Sequence, residues 1–356
     1  MDSNYSQFFI PISGFLATLA LISVFRKKAP KLGLIDIPNN RSSHIAPIPR
    51  GAGIVFIGVW TIQSCLTYPN FSNLPLSDLQ IILPGALIVA AFGFWDDLTG
   101  LPAWCRLLAH FIAVSAILFM LKLHVPIQHL PHTSIQSAVY LSLALLLGAW
   151  SINLYNFMDG IDGIAGVESI FVLGVGGTIA IFNGAFSIGF LSLSLLLCIT
   201  AFLFFNLSKA KVFMGDVGSG FIGFMIAGLA ILGYYKYQIP VWVWVLPYSL
   251  FWSDASLTLL RRALNKEPWY SAHKKHAYQR LHHIVGWSHK KILALVALVN
   301  SVFGGITVLT FAGYLDLATS ITITLVILGV YYTIIELVAP FPKGEQIAPH
   351  TSQAAS

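Results

Sequence analysis

Long apolar runs separated by short polar segments dominate the chain. They fall at about 8–25, 51–68, 79–95, 104–123, 135–152, 164–182, 187–205, 217–235, 239–257, 292–313 and 317–338. Most are close to the roughly 20 residues that an α-helix needs to cross a bilayer. The pattern predicts an all-α, polytopic membrane protein with about eleven transmembrane helices. It predicts one membrane domain over residues 1–342 and a disordered tail at 343–356.

The composition supports a lipid-facing surface. Hydrophobic residues make up 56% of the chain and charged residues 10%, whereas soluble domains carry about 25% charged residues. The cysteines at 65, 105 and 198 lie far apart, so neither a disulfide framework nor a zinc site is expected. The net charge of +6 would suggest nucleic acid in a soluble protein. Here the cations lie between apolar runs, so no nucleic-acid partner is expected.

The positions of Lys and Arg predict an orientation. With the N-terminus outside and the C-terminus in the cytoplasm, 18 of the 20 cations fall on the inner side. Only Lys122 and Lys236 fall outside, and the reverse orientation would invert the count. The excess of cations on the cytoplasmic side of membrane proteins therefore decides the orientation.

Most acidic residues collect at the same cytoplasmic face. Those in inner loops or at inner helix ends are Asp96, Asp97, Asp159, Asp162 and Asp216, with Glu168 and Asp254 about a turn away. Ion pathways and proton relays need ionisable groups near mid-membrane, and this chain shows none by sequence. The pattern predicts a site that a soluble molecule reaches from one side and a lipid from the other.

An acidic pair, Asp96-Asp97, ends the third run. Adjacent carboxylates repel each other unless a cation compensates them, and oxygen ligands suit Mg²⁺. An ordinary solvated loop is the alternative.

The segment Asn153–Gly163 carries Asn153, Asn156, Asp159 and Asp162 at intervals of three. In a helix this spacing places them on one broad face. Asparagines that hold membrane helices together are the alternative.

A glycine-rich turn, Met214-Gly-Asp-Val-Gly-Ser-Gly220, precedes the eighth run. Such a turn at a helix N-terminus can present free N–H groups to a phosphate, with Asp216 holding a metal beside it. Plain helix packing by small residues is the alternative.

The long inner loop at 258–291 is rich in Lys, Arg and His. It could clamp a polyanion such as a diphosphate. Topology and attraction to anionic lipid explain most of its cations, but they do not explain the run from His273 to Arg280.

The inner segment 41–53 contains two prolines and two glycines and ends near Arg50, which could contact phosphate. A purely structural loop is the alternative.

Together these motifs make the chain resemble the polyprenyl-phosphate N-acetylhexosamine-1-phosphate transferases of glycosyltransferase family 4. The shared features are the span count of the O-antigen-type members, Asp96-Asp97, the motif Asn153–Gly163 and Gly215–Ser219. Many members carry a His-x-His-His motif in the last inner loop. This chain has His276-Ala-Tyr-Gln279, similar to the branch that uses acetamido-deoxyhexose donors. The difference argues against the peptidoglycan enzyme of the family and leaves the donor sugar open.

The resemblance implies transfer of an N-acetylated amino-sugar 1-phosphate from a UDP-sugar to undecaprenyl phosphate, with UMP as second product. It implies an enzyme of the bacterial inner membrane that starts O-antigen, lipopolysaccharide or related glycan synthesis. A homodimer is one implied assembly. Mg²⁺, or Mn²⁺ instead, would be held by Asp216 and Asp97. The implied catalytic residues are Asp96, Asp97, Asp159 and Asp162. The expected substrate-binding residues are Arg50, Asn153, Asn156, Ser219, His273, His276, Gln279 and Arg280.

Two mechanisms and one other function remain open at this point. The second pKa of a phosphate monoester is near 6, so the lipid phosphate is largely ionised at pH 7 and needs little help from a base. Direct attack on the sugar-bearing phosphorus is therefore favoured, with an aspartyl phosphoenzyme as the alternative. A transporter or flippase is the other function, but it requires polar groups along a path through the midplane.

Overall fold

The computed structural model describes residues 3–38, 46–71, 74–124, 134–207, 209–268 and 273–342. Its helices are α1 (Ser3–Lys28), α2 (Gly53–Thr67), α3 (Leu76–Thr99), α4 (Ala103–His124), α5 (Ser134–Met158), α6 (Ile164–Phe182), α7 (Phe186–Asn206), α8 (Gly215–Tyr237), α9 (Trp242–Val245), α10 (Ser249–Leu264), α11 (Ala277–His283), α12 (His289–Phe311) and α13 (Leu317–Val338). Two short strands are β1 (Ile35–Asp36) and β2 (Ile48–Pro49). The expected tail at 343–356 and residues 41–45 of the first inner loop lie outside the described residues.

The all-α polytopic class is confirmed. Every predicted apolar run overlaps a helix of the structure. Over the described ranges, nine helices are long and apolar enough to cross a membrane. The count of eleven spans stays a prediction, because the runs at 51–68 and 239–257 form shorter helices. The orientation also stays a prediction.

Pro247 accounts for the break in the run at 239–257. Helix α9 has four residues and ends at Val245, and α10 begins at Ser249. Proline lacks the N–H that an α-helix interior requires, and its ring collides with the preceding turn. Helix α10 then extends beyond the predicted run and ends with Arg261 and Arg262 in its last turn.

Helix α8 lies at the centre of the molecule. In its most apolar stretch 89% of the residues are buried, against 22% for the peripheral α13. Its long neighbour α3 runs antiparallel to it, so each end of α8 meets the opposite end of α3. At one end Lys236 and Tyr237 of α8 donate hydrogen bonds to the fully buried Asp78 of α3. At the other end Asp96 and Asp97 of α3 meet the first turn of α8.

A short hairpin braces the chain before α8. Strand β1 pairs antiparallel with β2, in register Ile35 with Pro49. The N–H of Phe213 donates to the carbonyl of Pro49 at 2.8 Å, and the N–H of Ala52 donates to the carbonyl of Phe213 at 3.0 Å. The loop that leads to Asp216 is therefore held by backbone hydrogen bonds from the first inner segment.

Candidate active site

The carboxylate of Asp97 binds the N-terminus of α8. Its Oδ1 accepts the N–H of Asp216 at 3.0 Å, and its Oδ2 accepts the N–H of Val217 at 3.1 Å. A negative charge at a helix N-terminus is stabilised by the helix dipole and the unpaired amides. The expectation that this turn offers free N–H groups to a phosphate is wrong for these two amides, because Asp97 already occupies them.

Gly215 makes this contact possible. Its φ of +75° lies in the left-handed region, which glycine adopts without steric cost. A Cβ at this position would overlap the Asp97 carboxylate. The glycine in the Gly-Asp-x-Gly-Ser motif is thus required by a close approach between α3 and α8.

Asp96 and Asp216 share one cation, Arg106 of α4. The Arg106 Nη1 atom lies 3.0 Å from Asp96 Oδ2 and 3.6 Å from Asp216 Oδ2. Asp96 Oδ1 also accepts the N–H of Leu101 at 2.5 Å. The acidic pair is therefore not an ordinary solvated loop: both side chains are buried and each binds a partner on another segment.

Asn156 of α5 orients Asp216. Its amide Nδ2 lies 2.7 Å from Asp216 Oδ1 and 3.0 Å from Ser219 Oγ. Asn153, one turn earlier, bonds His110 Nδ1 at 2.9 Å. The two asparagines of the motif thus join α5 to different helices, and only Asn156 contacts a carboxylate.

Arg50 reaches the same cluster from the first inner segment. It donates a hydrogen bond from Nη2 to the backbone carbonyl of Asp97. Its Nε is buried and has no partner among the described residues. The structure therefore brings Arg50 to the acidic pair, although its expected contact with phosphate stays a prediction.

Several segments contact the turn from Asp159 to Gly163. Tyr278 and Gln279 of α11 pack so closely on Gly160 that a Cβ there would overlap both side chains. The N–H of Gly163 donates to Asn206 Oδ1 at 2.8 Å. These contacts fix the turn between α5 and α6 beside the cluster of carboxylates.

The two aspartates of this turn differ in their surroundings. Asp162 Oδ2 accepts the N–H groups of Lys209 at 3.2 Å and Ala210 at 3.0 Å, and it faces His289 Nδ1 at 3.3 Å. The Asp159 carboxyl group makes no hydrogen bond to the residues that the structure describes. The Asp162 carboxylate is thus hydrogen-bonded within the protein, whereas the Asp159 carboxyl group is available to bind a ligand.

The pKa values of the two aspartates move in opposite directions. Burial, with the charges of Asp162 and Asp97, raises the pKa of Asp159 to about 7. Burial also acts to raise the pKa of Asp162, but the hydrogen bonds from His289 and from the loop amides outweigh it and lower that pKa. A carboxyl group with a pKa raised by burial and like charge is typical of a functional site.

The last inner loop turns its predicted binding residues toward the protein. Arg280 is 2% exposed and its Nη1 binds Glu336 Oε2 at 3.0 Å and the Ala339 carbonyl at 2.7 Å. His276 precedes α11 and forms a reciprocal cap with Gln279. The N–H of Ala277 also donates to the carboxylate of Asp254, so α11 is tied to both α10 and α13. This placement does not favour the expected phosphate clamp at Arg280, and direct substrate contact by these residues stays a prediction.

His273 lies beside this cap. Its ring centroid is 4.7 Å from that of His276. Burial first, then the neighbouring cationic groups, lower the pKa of His273, so its ring is neutral at pH 7. Its predicted role in binding a polyanion would therefore rest on hydrogen bonding and not on charge.

An apolar cavity of about 430 Å³ opens at the carboxylate cluster between α3, α4, α5, α8 and α10. Its apolar wall includes Phe92, Trp104, Leu107, Trp150 and Phe157. Its polar end holds Asp96, Arg106, His110, Asn153, Asn156 and Asp216. The cavity therefore joins an ionic cluster to a surface that suits a hydrocarbon chain.

The donor set of the cluster fits a hard divalent cation. Asp96 and Asp216 offer carboxylate oxygens beside Asn156, and oxygen is the ligand that Mg²⁺ prefers. Within the described part of the chain no group of three or more acidic, His or Cys side chains is arranged to hold a metal. Mg²⁺ commonly uses only one or two carboxylates and completes its shell with waters and substrate phosphates. Asp216 is the best-placed ligand, because both oxygens of Asp97 already accept backbone N–H groups.

The sequence predicts most of this cluster but gives no site role to Arg106 and His110, and it places His289 only within the histidine-rich basic loop at 258–291. In the sequence Arg106 is only one of the 18 inner cations. Its signal was its position ten residues after Asp96, just beyond a Gly-Leu-Pro turn that folds α4 back on α3. Nothing in the local sequence connects His289 with Asp162, because the two are far apart along the chain.

Comparisons with known proteins find related sequences over the stretch that carries this site. Residues 79–234 match the family model of glycosyl transferase family 4, a stretch that contains Asp96, Asp97, Asp159, Asp162 and Asp216. A Bacillus subtilis relative, "probable undecaprenyl-phosphate N-acetylglucosaminyl 1-phosphate transferase", is 29% identical over 300 residues, covering 82% of this chain and 81% of its own.

Two further relatives come from other bacteria. The "undecaprenyl-phosphate alpha-N-acetylglucosaminyl 1-phosphate transferase" of Salmonella typhi is 28% identical over 83% of this chain and 82% of its own. The "decaprenyl-phosphate N-acetylglucosaminephosphotransferase" of Mycobacterium tuberculosis is 26% identical over 79% and 78%. The matched family model covers the stretch that carries the carboxylate cluster, and the chain is similar to these transferases over about four fifths of its length.

Proposed function

We propose that this protein transfers an N-acetylated amino-sugar 1-phosphate from a UDP-sugar to undecaprenyl phosphate. The products are undecaprenyl-diphospho-sugar and UMP. The proposed site faces the cytoplasm from the bacterial inner membrane, and the reaction starts the synthesis of O-antigen, lipopolysaccharide or a related envelope glycan. The names of the relatives make N-acetylglucosamine the first sugar to test.

One observation carries this proposal: the ionic cluster of Asp96, Arg106, Asp216 and Asn156 lines one end of an otherwise apolar cavity. A polyprenyl phosphate has the matching chemistry, because its charged head needs polar partners and its tail needs an apolar surface. The polar groups gather at one end of α3, α5 and α8, where a water-soluble nucleotide sugar can also arrive.

The proposed step is a single displacement at phosphorus. An oxygen of the lipid phosphate attacks the sugar-bearing phosphorus, forming a P–O bond. The bond from that phosphorus to the oxygen bridging the two phosphates breaks, and UMP leaves with the bridging oxygen. No residue needs to remove a proton, since the lipid phosphate is largely ionised at pH 7.

The residues of the cluster would position the reactants and offset their charge, which is what phosphoryl transfer chiefly requires. Arg106 can turn from Asp96 and Asp216 toward a phosphate. Asn156 and Asp97 hold Asp216 and the start of α8 in place. A divalent cation bound at Asp216 would supply further neutralisation of the phosphates.

Asp159 is the carboxyl group left for substrate. It lies in a turn that contacts α11, α12 and the loop at 209–210. Its own oxygens are unpaired among the described residues. A hydroxyl or amide of the donor is a fitting partner, because either can donate a hydrogen bond to it.

The test is a transfer assay with purified protein, Mg²⁺, undecaprenyl phosphate and a panel of labelled UDP-N-acetylsugars. We expect a lipid-soluble label with at least one donor, and a loss of at least about 100-fold in Asp216→Asn. Asp316→Asn is the matched control: it is the same chemical change at the exposed N-cap of α13, where Asn caps as well as Asp.

Two outcomes would contradict the proposal. One is the absence of transfer from every donor, and the other is undiminished transfer in Asp216→Asn. Movement of a sugar or lipid across vesicles without a new covalent product would favour a transporter or flippase instead.

A further inference from the structure

His289 contacts the candidate site from the end of the basic loop at 258–291, although it is not among the residues predicted to bind substrate. It is the first residue of α12, and its Nδ1 lies 3.3 Å from Asp162 Oδ2. Its Nε2 is buried and has no partner in the described residues. The ring packs against His282, with centroids 4.7 Å apart. Its polar contact with the site therefore runs through Nδ1 alone.

The direction of that hydrogen bond follows from the chemistry. The pKa of Asp162 is lowered, so its carboxylate is ionised at pH 7 and can only accept. Nδ1 of His289 must therefore carry the hydrogen and donate it. The neighbouring ring of His282 places its Nδ1 2.8 Å from the Trp287 carbonyl and is fixed in the same way.

The same oxygen of Asp162 holds the loop that follows α7. It accepts the N–H groups of Lys209 and Ala210, and Lys209 has a φ of +86°. A lysine in the left-handed region is strained by about 1–3 kcal/mol and persists only where its surroundings enforce it. The hydrogen bonds from Lys209 and Ala210 to Asp162 hold the lysine in this conformation.

This loop leads directly to the metal-ligand candidate. Ala210 precedes Asp216 by six residues. Asn206 joins the loop to the turn, because its Oδ1 accepts the N–H of Gly163 and its Nδ2 donates to the Val212 carbonyl at 2.9 Å. A shift of Asp162 would therefore reach both Asp159, three residues before it, and Asp216.

We propose that His289 is a positioning residue of the transferase site: by donating from Nδ1 to Asp162, it holds the turn that carries Asp159 and the loop that leads to Asp216. The proposal rests on the proposed function for its effect on rate. Its effect on the loop is a property of the protein without substrate and can be measured separately.

Three variants of His289 separate its hydrogen bond from its volume. His289→Asn places an N–H the same number of bonds from the backbone as Nδ1, so it can keep the contact. His289→Gln carries its amide one bond further out, and His289→Ala removes it. His283→Ala is the control: this half-buried imidazole lies 4.8 Å from His282 but has no contact with Asp162 in the structure.

The kinetic readout is kcat and KM for the donor, normalised to folded protein. We expect kcat to fall about 10- to 100-fold in His289→Ala and His289→Gln, as for other residues that orient site ligands. His289→Asn and His283→Ala should stay within about threefold of wild type. Because His289 acts through Asp162, Asp162→Asn combined with His289→Ala should be no worse than the more impaired single variant.

The second readout is hydrogen exchange of the backbone at 209–212. We expect faster exchange in His289→Ala and wild-type exchange in His289→Asn. Wild-type kcat and exchange in His289→Ala would overturn the proposal, and so would equal impairment of the Asn and Ala variants. If wild-type protein shows no transfer, the proposed function fails, but the exchange comparison still decides whether His289 holds the loop.

Discussion

Replacing Asp159 by Asn should stabilise the protein at alkaline pH while it abolishes or strongly reduces transfer. The pKa of Asp159 is raised to about 7 by burial and by the nearby charges of Asp162 and Asp97. Its ionised form is therefore unfavourable in the folded protein. Asn has nearly the same shape and no charge, so it removes that penalty and with it the carboxyl group assigned to substrate.

The sign of the pH dependence follows from the two pKa values. Unfolded, Asp159 has a pKa of about 3.9. Between about pH 4 and 7 the folded protein keeps a proton that the unfolded chain has released, so stability falls as pH rises. The difference between the folded and unfolded pKa values of Asp159 corresponds to a loss of stability of at most about 4 kcal/mol. Partial solvent contact and relaxation reduce this to about 2 kcal/mol, which shifts Tm by about 2–4 °C.

The assay is thermal unfolding in detergent at pH 5 and pH 8, with EDTA to keep divalent cations from neutralising the carboxylates. Asp159→Asn should melt above wild type at pH 8, and the gap should shrink toward pH 5. Asp162→Asn is the matched control in the same turn. The pKa of Asp162 is lowered, so its contribution to stability is present above about pH 4 and is lost only below.

The control should therefore melt below wild type at both pH values. A Tm of Asp159→Asn no higher than that of wild type at pH 8, or an equal Tm advantage at pH 5, would refute the raised pKa of Asp159. Stabilisation of both aspartate variants would also refute it, because the two carboxyl groups would then not differ in role.

Three further substitutions test other contacts of the site and its support. Arg106→Met should lower the initial rate of transfer at least about 100-fold, and Arg106→Lys should recover part of that rate. Wild-type activity in the Met variant would show that Arg106 is not needed for transfer. Gly160→Ala should lower both the transfer rate and Tm, because its Cβ overlaps the Tyr278 side chain. Gly305→Ala should match wild type, because its Cβ would meet no atom within 4 Å beyond the adjacent residues and its own helix backbone. Equal rates and Tm values for the two variants would show that the turn at Gly160 can accommodate a methyl group. Glu336→Gln should lower Tm by weakening two arginine pairs, and an unchanged Tm would mean that those pairs add nothing to stability.

The apolar pattern was sufficient to predict the helices because lipid imposes a simple rule on composition and length. It could not show that Pro247 divides the run at 239–257 into two helices. The apolar pattern also could not show how far each polar group lies from the ends of the helices. Glu168, expected near the inner interface, accepts a hydrogen bond from Asn300, a fully buried residue eleven positions into α12.

The sequence predicts which residues gather at the cytoplasmic end of the helices, but it does not predict which residues they contact. The two oxygens of Asp97 bind amides of α8, a contact between residues more than 100 positions apart. Arg280 looked like a phosphate ligand because the loop is basic, yet its partner Glu336 lies 56 residues away. Long-range pairing of charges depends on the packing of helices, and a single sequence does not specify it.

The central claim is that the phosphorus next to the sugar moves to the lipid and UMP leaves. It is tested most directly with a UDP-N-acetylsugar labelled in one phosphate at a time. Label in the sugar-linked phosphate should appear in the organic phase on undecaprenyl-diphospho-sugar, and label in the uridine-linked phosphate should remain in UMP. Uridine-linked phosphate in the lipid product, or release of both labels into water without a lipid product, would contradict the account.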